Sequence, residues 1–413
     1  MNAFLDRPIG LSEYKGMANT FAILATGIFV LSILWTGLNP IDDAVGIFEV
    51  IETLLKWSYR LLLVPALVLR PYSLRLLLPM LVVGMLFGLV ALTAADPTCL
   101  LVFAILVACR DVDPMRLIKV YLGLAIAFVG LVLLLNSIAL IEPVYVQRGM
   151  DPFARTSLGL VHPNRLGTLF LSLGISWMVI RYKSFGFMDA LIILLLIYVN
   201  ARVCDSRTTT LVLLSALLGV VLIKFFQRRF GVNLIPALVA LIFIVSGVFV
   251  ILVITFDPDV SWMESIDSLL SSRLYNCNMF LHRYPPQLLG RDVADLPVAY
   301  VYEWTGEEIR FLVDNSIVRS LIVYGVPATF VMLAGVTASG LKEFREQVNE
   351  GFIFGLCMMA LAGVMEATFF SIDTNPCLMI VSSSLLIDRR VYKPKHMKCV
   401  RCESGADDAE CNR

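Results

Sequence analysis

Apolar residues run in blocks of about twenty along most of this chain, separated by polar connections, and that pattern predicts its architecture. A helix rises about 1.5 Å per residue, so a block of about twenty residues crosses roughly 30 Å of hydrocarbon. The blocks give about twelve candidate spans: 18–38, 45–69, 75–95, 97–110, 117–141, 164–181, 187–203, 208–225, 233–255, 315–338, 351–370 and 374–388. The expected fold class is therefore all-α, a polytopic integral membrane protein. Two spans fit less well. The fourth is short, and the second holds Glu49, Glu52, Lys56 and Arg60 on one helix face. That stretch either faces the bundle interior or begins as an interfacial helix.

One interval breaks the rhythm. From Phe256 to Val318 about sixty residues carry no apolar block, far beyond the usual length of a connection. Its aromatics, paired prolines and spaced arginines are not the composition of disorder, so 256–318 is expected to be one ordered external loop. Basic residues orient the rest. Arg70 and Arg75, Arg110, Arg116 and Lys119, Arg181 and Lys183, Lys224, Arg228 and Arg229, Lys342 and Arg345, and the run from Arg389 fall at every second connection. This is the positive-inside pattern, and it places both termini in the cytoplasm. The expected organisation is a membrane domain over 1–388 and a cytoplasmic tail over 389–413. Asp6, Arg7, Glu13 and Lys15 precede the first span with no small-residue cleavage site, which reads as a cytoplasmic head and not a cleaved signal.

Composition agrees and excludes a soluble protein. Of 413 residues, 58% are hydrophobic and 16% charged, against about 25% charged in soluble domains, and the mean hydropathy is +0.82. Nothing in the charge pattern suggests a nucleic-acid partner. Most of the nine cysteines lie within apolar blocks, where they act as small hydrophobes. In the tail, His396, Cys399, Cys402 and Cys411 can bind zinc or remain reduced and solvated, and their spacing matches no fixed zinc pattern. Sidedness adds one further asymmetry. The outward connections carry only arginine: Arg148, Arg155, Arg165, Arg207, Arg273, Arg283, Arg291, Arg310 and Arg319. Either few cations go outside and all happen to be arginine, or the outer face binds phosphate through the bidentate guanidinium fork.

Three outward clusters follow. In the first, Arg155, His162, Asn164 and Arg165 stand just before a span, with Asn164 as a candidate helix cap behind Pro163. His162 can serve as a base or phosphate ligand, or simply as a structural donor. In the second, Asp205 and Ser206 can cap a helix whose positive end, beside Arg207, suits an anion. In the third, Arg273 opens a run through Arg283 that reads as an amphipathic surface helix stopped by Pro285-Pro286. Asp314 and Asn315 stand before the tenth span, where a carboxylate is either a base or a cap, with Arg319 one turn in. Asp257 and Asp259 flank a proline, which suits a helix-exit turn better than a metal pair.

Together these residues resemble the bacterial O-antigen polymerase and ligase superfamily, in particular its capsular or exopolysaccharide repeat-unit polymerases. The likeness lies in Arg155–Asn164, in Asp205-Ser206-Arg207-Thr208, in Ser272-Arg273 followed by Leu289-Gly290, and in Asp314-Asn315 followed by Tyr324-Gly325. Asp314 stands where the family's ligases usually have histidine, which favours the polymerase branch. Ser272 stands where the family often has glycine. The resemblance implies an enzyme on the outer face of the bacterial cytoplasmic membrane that joins undecaprenyl-pyrophosphate-linked oligosaccharides without metal or cofactor. Arg273, Arg155, Arg165 and Arg207 would hold the pyrophosphate, with Arg283, Asn164, Asn315 and Arg319 as further substrate contacts. Asp314, then His162, would activate the acceptor. Membrane lipids, a chain-length regulator and a flippase are the implied partners. A ligase moving a finished glycan, or a lipid-linked oligosaccharide transporter, is the alternative reading.

Overall fold

The computed structural model describes residues 8–9, 12–147, 154–301, 308–346 and 349–386. Arg148, the first residues with Asp6 and Arg7, and the tail from Arg389 with its cysteines lie outside them. Fifteen α-helices account for most of the described chain. They are α1 (Lys15–Trp35), α2 (Val45–Val68), α3 (Leu74–Thr93), α4 (Thr98–Ala108), α5 (Pro114–Ser137), α6 (Pro163–Arg181), α7 (Phe187–Val203), α8 (Arg207–Phe230), α9 (Ile235–Thr255), α10 (Ser261–Leu269), α11 (Arg273–Arg283), α12 (Ser316–Val323), α13 (Val326–Glu346), α14 (Glu350–Met365) and α15 (Ile380–Leu385). Three two-residue antiparallel pairs complete it: β1 (Pro8–Ile9) with β2 (Tyr72–Ser73), β3 (Tyr145–Val146) with β4 (Arg155–Thr156), and β5 (Tyr300–Val301) with β6 (Glu308–Ile309). Among the described residues, five helices are long and apolar enough to cross a membrane: α1, α3, α5, α8 and α9. The protein is a helical membrane protein.

The middle of the bundle is α6 and α14, apolar and buried nearly all round, as central helices must be. Small residues let their neighbours approach. A Cβ on Gly355 would meet Cys377 Sγ and Val179 Cγ2, both at 2.6 Å, and one on Gly174 would meet Leu213 Cδ2 at 2.6 Å. Connections gather at two ends. At one end Asn39 N donates to Gly159 O (2.8 Å) and Thr93 Oγ1 to Leu289 O (2.5 Å). At the other, Arg70 reaches Asn19 and Asp111, Lys224 Nζ donates to Lys183 O (3.1 Å), and Asn233 to Glu350 (2.9 Å).

Two expected spans are not single helices. The tenth, 315–338, is cut into α12 and α13 at Gly325, whose φ of +83° an L side chain would resist. A Cβ there would meet Gly290 N and Gln287 O at 2.6 Å. Gly290 is also left-handed (φ +73°) and lies against the Val323 carbonyl. The twelfth, 374–388, is a 3-10 turn, Pro376–Met379, followed by the six residues of α15. Between α14 and that turn, 366–375 is not α-helical yet enters the bundle. Its backbone groups find side-chain partners there: Ser316 Oγ donates to Glu366 O (2.7 Å) and accepts from Phe369 N (3.0 Å), and Asn375 Nδ2 donates to Phe369 O (2.9 Å). Irregular backbone at such a depth survives only on those terms.

Candidate functional site

The end of the bundle that carries residues 154–165, 204–210 and 256–315 builds the candidate site. Arg155 on β4 is 6% exposed. Its Nε donates to Cys204 O at 2.8 Å and its Nη2 to Asn164 Oδ1, which ties the first arginine cluster to the second. Helix α6 starts at Pro163, a residue suited to a first turn. The cap is His162, not Asn164: His162 Nδ1 accepts from Asn164 N at 3.0 Å. Asn164 is occupied instead by Arg155. A neutral His162 capping through Nδ1 carries its proton on Nε2, where it is a donor. Ser206 caps α8, accepting from Thr209 N at 3.5 Å, and the strained turn before it places Asp205 at φ +41°.

Thr208 is the hub. Its Oγ1 donates to Glu366 Oε1 (3.0 Å) and accepts from Arg273 Nη1 (3.2 Å). Arg273 Nη2 pairs with the same Glu366 oxygen at 2.7 Å, and Arg273 Nε lies 3.6 Å from Asp314 Oδ2. That last distance is an ion pair without a hydrogen bond, and Nε is a buried donor with no hydrogen-bond partner among the described residues. One guanidinium thus stands between two carboxylates. Burial raises the Asp314 carboxyl, against Arg273 and Arg319. Asp314 keeps 33% of its side chain exposed and Glu366 15%, so Asp314 is the more open of the pair.

Local sequence explains how Arg273 is aimed. Asp267, 7% exposed, accepts from Leu274 N (2.8 Å) and Tyr275 N (3.1 Å), capping α11 across a turn. Ser271 and Ser272 both hold positive φ, +58° and +61°, a conformation in which glycine would be unstrained. Helix α11 is amphipathic but does not lie on a lipid surface: Leu274, Cys277 and Phe280 are fully buried, in one cluster with Phe249 and Val253 of α9 and Ile322 of α12. Asp314 is fixed by its neighbour. Asn315, 1% exposed, caps α12 through Ile317 N and Val318 N and donates to Val364 O. Asp314 is not the cap.

The remaining candidates spread around this hub. Arg319 stacks on Phe311 (5.3 Å) one turn from Asp314. Arg207 is exposed at the first turn of α8 and has no partner among the described residues. Arg165 is exposed and rests on Gly37, where a Cβ would lie 2.9 Å from its Nη1. Arg283 stands apart, exposed at the far end of α11, roughly 15 Å along the helix from Arg273, its guanidinium 5.6 Å from the Tyr284 ring. Asp257 forms a turn, accepting from Asp259 N at 3.0 Å. Glu366 is the residue that sequence reasoning missed. Its signal was present: a lone carboxylate in an apolar stretch is a functional candidate by default.

No family model, curated protein or solved structure matches this chain.

Proposed function

We propose that the protein polymerises undecaprenyl-pyrophosphate-linked oligosaccharide repeat units at the outer face of a bacterial cytoplasmic membrane. The observation that carries this reading is Arg273 between Asp314 and Glu366, on an end of the bundle whose described cations are arginines. Departure of a pyrophosphate builds negative charge, and preorganised guanidinium groups answer it without a metal. Arg273, Arg207, Arg165 and Arg319 bind the leaving group, with Arg155 holding the first two clusters in register. The acceptor hydroxyl oxygen attacks the anomeric carbon of the donor. The new C–O bond forms as the bond to pyrophosphate breaks, and the electron pair leaves on the phosphate oxygen. The acceptor proton passes to Asp314, the carboxylate that reaches solvent. Glu366 is a positioning residue that holds the guanidinium plane through Nη2.

Purified protein given a single lipid-linked repeat unit is expected to produce a ladder of lengthening products, and Arg273→Ala and Arg207→Ala to shorten or abolish it at equal expression. Normal long polymer from both variants would sink the assignment. One transfer to a foreign acceptor with no ladder identifies a ligase, and movement of the lipid across vesicles with no new glycosidic bond identifies a transporter.

A further inference from the structure

A groove of about 520 Å³ opens between α7 and α8 at the end of the bundle opposite the site, and no step of the proposed reaction uses it. Helix α8 is a candidate membrane span, and Lys224, Arg228 and Arg229 lie roughly 25–33 Å along it from Arg207. Hydrocarbon is about 30 Å thick, so these three cations stand at the level of the lipid headgroups. They line the groove together with Phe185, Phe187 and Phe225. Phe187 and Phe225 are exposed on its rim. From there toward the site end, Leu191 and Leu195 of α7 and Leu214 and Leu218 of α8 are exposed as well, an apolar wall suited to lipid chains.

The cations are not spent on the fold. Gly231, at φ +67°, closes α8 through backbone bonds from its own N to Gln227 O (3.1 Å) and from Val232 N to Phe226 O (3.4 Å), so no guanidinium is needed as a cap. Arg228 and Arg229 are exposed and have no ion-pair or hydrogen-bond partner among the described residues. Lys224, half-buried, gives one donor to Lys183 O (3.1 Å) and lies 5.5 Å from the centre of the Tyr182 ring. Two carboxylates stand nearby and both are engaged. Asp189 accepts from Gly186 N (2.9 Å), Trp177 (3.1 Å) and Arg181 (3.1 Å), and Glu350, which faces Lys224, accepts from Asn233 (2.9 Å). The groove therefore asks for an anion. A second copy of the chain meeting it face to face would bring the same three cations. Free phosphate would leave the phenyl rings and leucines uncovered. A basic pocket between membrane helices at headgroup depth suits a lipid of negative charge. We infer that the groove binds one anionic phospholipid, its phosphodiester on Lys224, Arg228 and Arg229 and its acyl chains along the outward faces of α7 and α8.

The test is native mass spectrometry of the full-length protein in detergent, titrated with phosphatidylglycerol or with phosphatidylcholine of identical chains. The first phosphatidylglycerol is expected to bind at least ~10-fold tighter than the first phosphatidylcholine. The protein with Lys224→Gln, Arg228→Gln and Arg229→Gln should lose that preference. The protein with Arg75→Gln, Arg116→Gln and Lys119→Gln, which removes as many exposed cations from the same end, should keep it. Equal binding of the two lipids by the native protein overturns the inference, and so does equal loss of preference in both variants, which would make it an effect of overall charge. Displacement of the lipid by glycerol phosphate at a similar concentration also overturns it, since the ligand is then a soluble phosphate ester. So does a native dimer that the groove variant loses, since a second copy then covers the groove. If the groove variant cannot be purified, ionic strength decides: a preference that weakens from low to high ammonium acetate supports the site, and one that does not change overturns it.

Discussion

The two ends of the bundle solve opposite charge problems. At the end opposite the site, one carboxylate, Asp111, serves three cations: Arg70 at 2.7 Å, Lys15 at 3.6 Å and Arg110 at 3.6 Å. Arg70 is fully buried, and each of its three nitrogens has an acceptor, in Ala66 O, Asp111 and Asn19. At the site end, one cation serves two carboxylates, and one of its donors has no hydrogen bond. The first cluster has more cations than carboxylates and ties helices together, and there too a buried donor, Arg110 Nη1, has no hydrogen bond among the described residues. The second has two carboxylates around one cation and so can take up a proton. An unbonded buried donor therefore does not tell the two ends apart, whereas the ratio of opposite charges does.

That contrast can be broken at either end. The largest expected effects come as a pair. Arg70→Met should cost ~3–5 kcal/mol of stability, because it breaks a buried pair, with activity per folded molecule preserved. Asp314→Asn should slow polymerisation by about 10²–10⁴ with the melting temperature nearly unchanged. Thermal unfolding in detergent beside a ladder assay measures both, and a swap of the two phenotypes would refute the contrast.

Glu366 gives a finer test. Glu366→Gln weakens the hold on Arg273, so the ladder assay should show a rate between those of the native protein and of Asp314→Asn. At the backbone contact, Gly325→Ala should cost more than the ~1–2 kcal/mol of left-handed strain, because its Cβ would meet the backbone of Gln287 and Gly290 at 2.6 Å, and this is read as a lower melting temperature.

The helical membrane fold is legible in the amino-acid sequence. Apolar blocks placed α1, α3, α5 and α9 within a few residues, because a helix in hydrocarbon must satisfy its own backbone. Of the residues in the three arginine clusters, Arg155, Arg273 and Asp314 lie at one end of the bundle, and Leu289-Gly290 and Tyr324-Gly325 lie in two segments that meet, a contact that the sequence did not announce. What hydropathy could not report is where a helix stops inside an apolar run. The break at Gly325 and the irregular stretch after Met365 depend on single hydroxyls and amides, Ser316 and Asn375, that replace helical hydrogen bonds from elsewhere in the chain. Glu366 was hidden by the same cause, since it was read as part of a continuous span. For α2, periodicity put four charges on one face but could not say which way that face turns.

The contact between Gly290 and Gly325 divides the long interval that starts at Phe256. Arg273 lies before it, and Thr93 and Tyr324 bond Leu289 and Asp96 beside it. The segment from Arg291 to Tyr324 is thereby a closed ring, both of whose ends are fastened to one place on the bundle. Within the ring, the stretch leading up to β5 can change in length without altering the distance between Arg273 and Asp314, because Asp314 is held through Asn315 and Val364. Diversity among chains built this way would accumulate in that arc, leaving the spacing of Arg273 and Asp314 untouched.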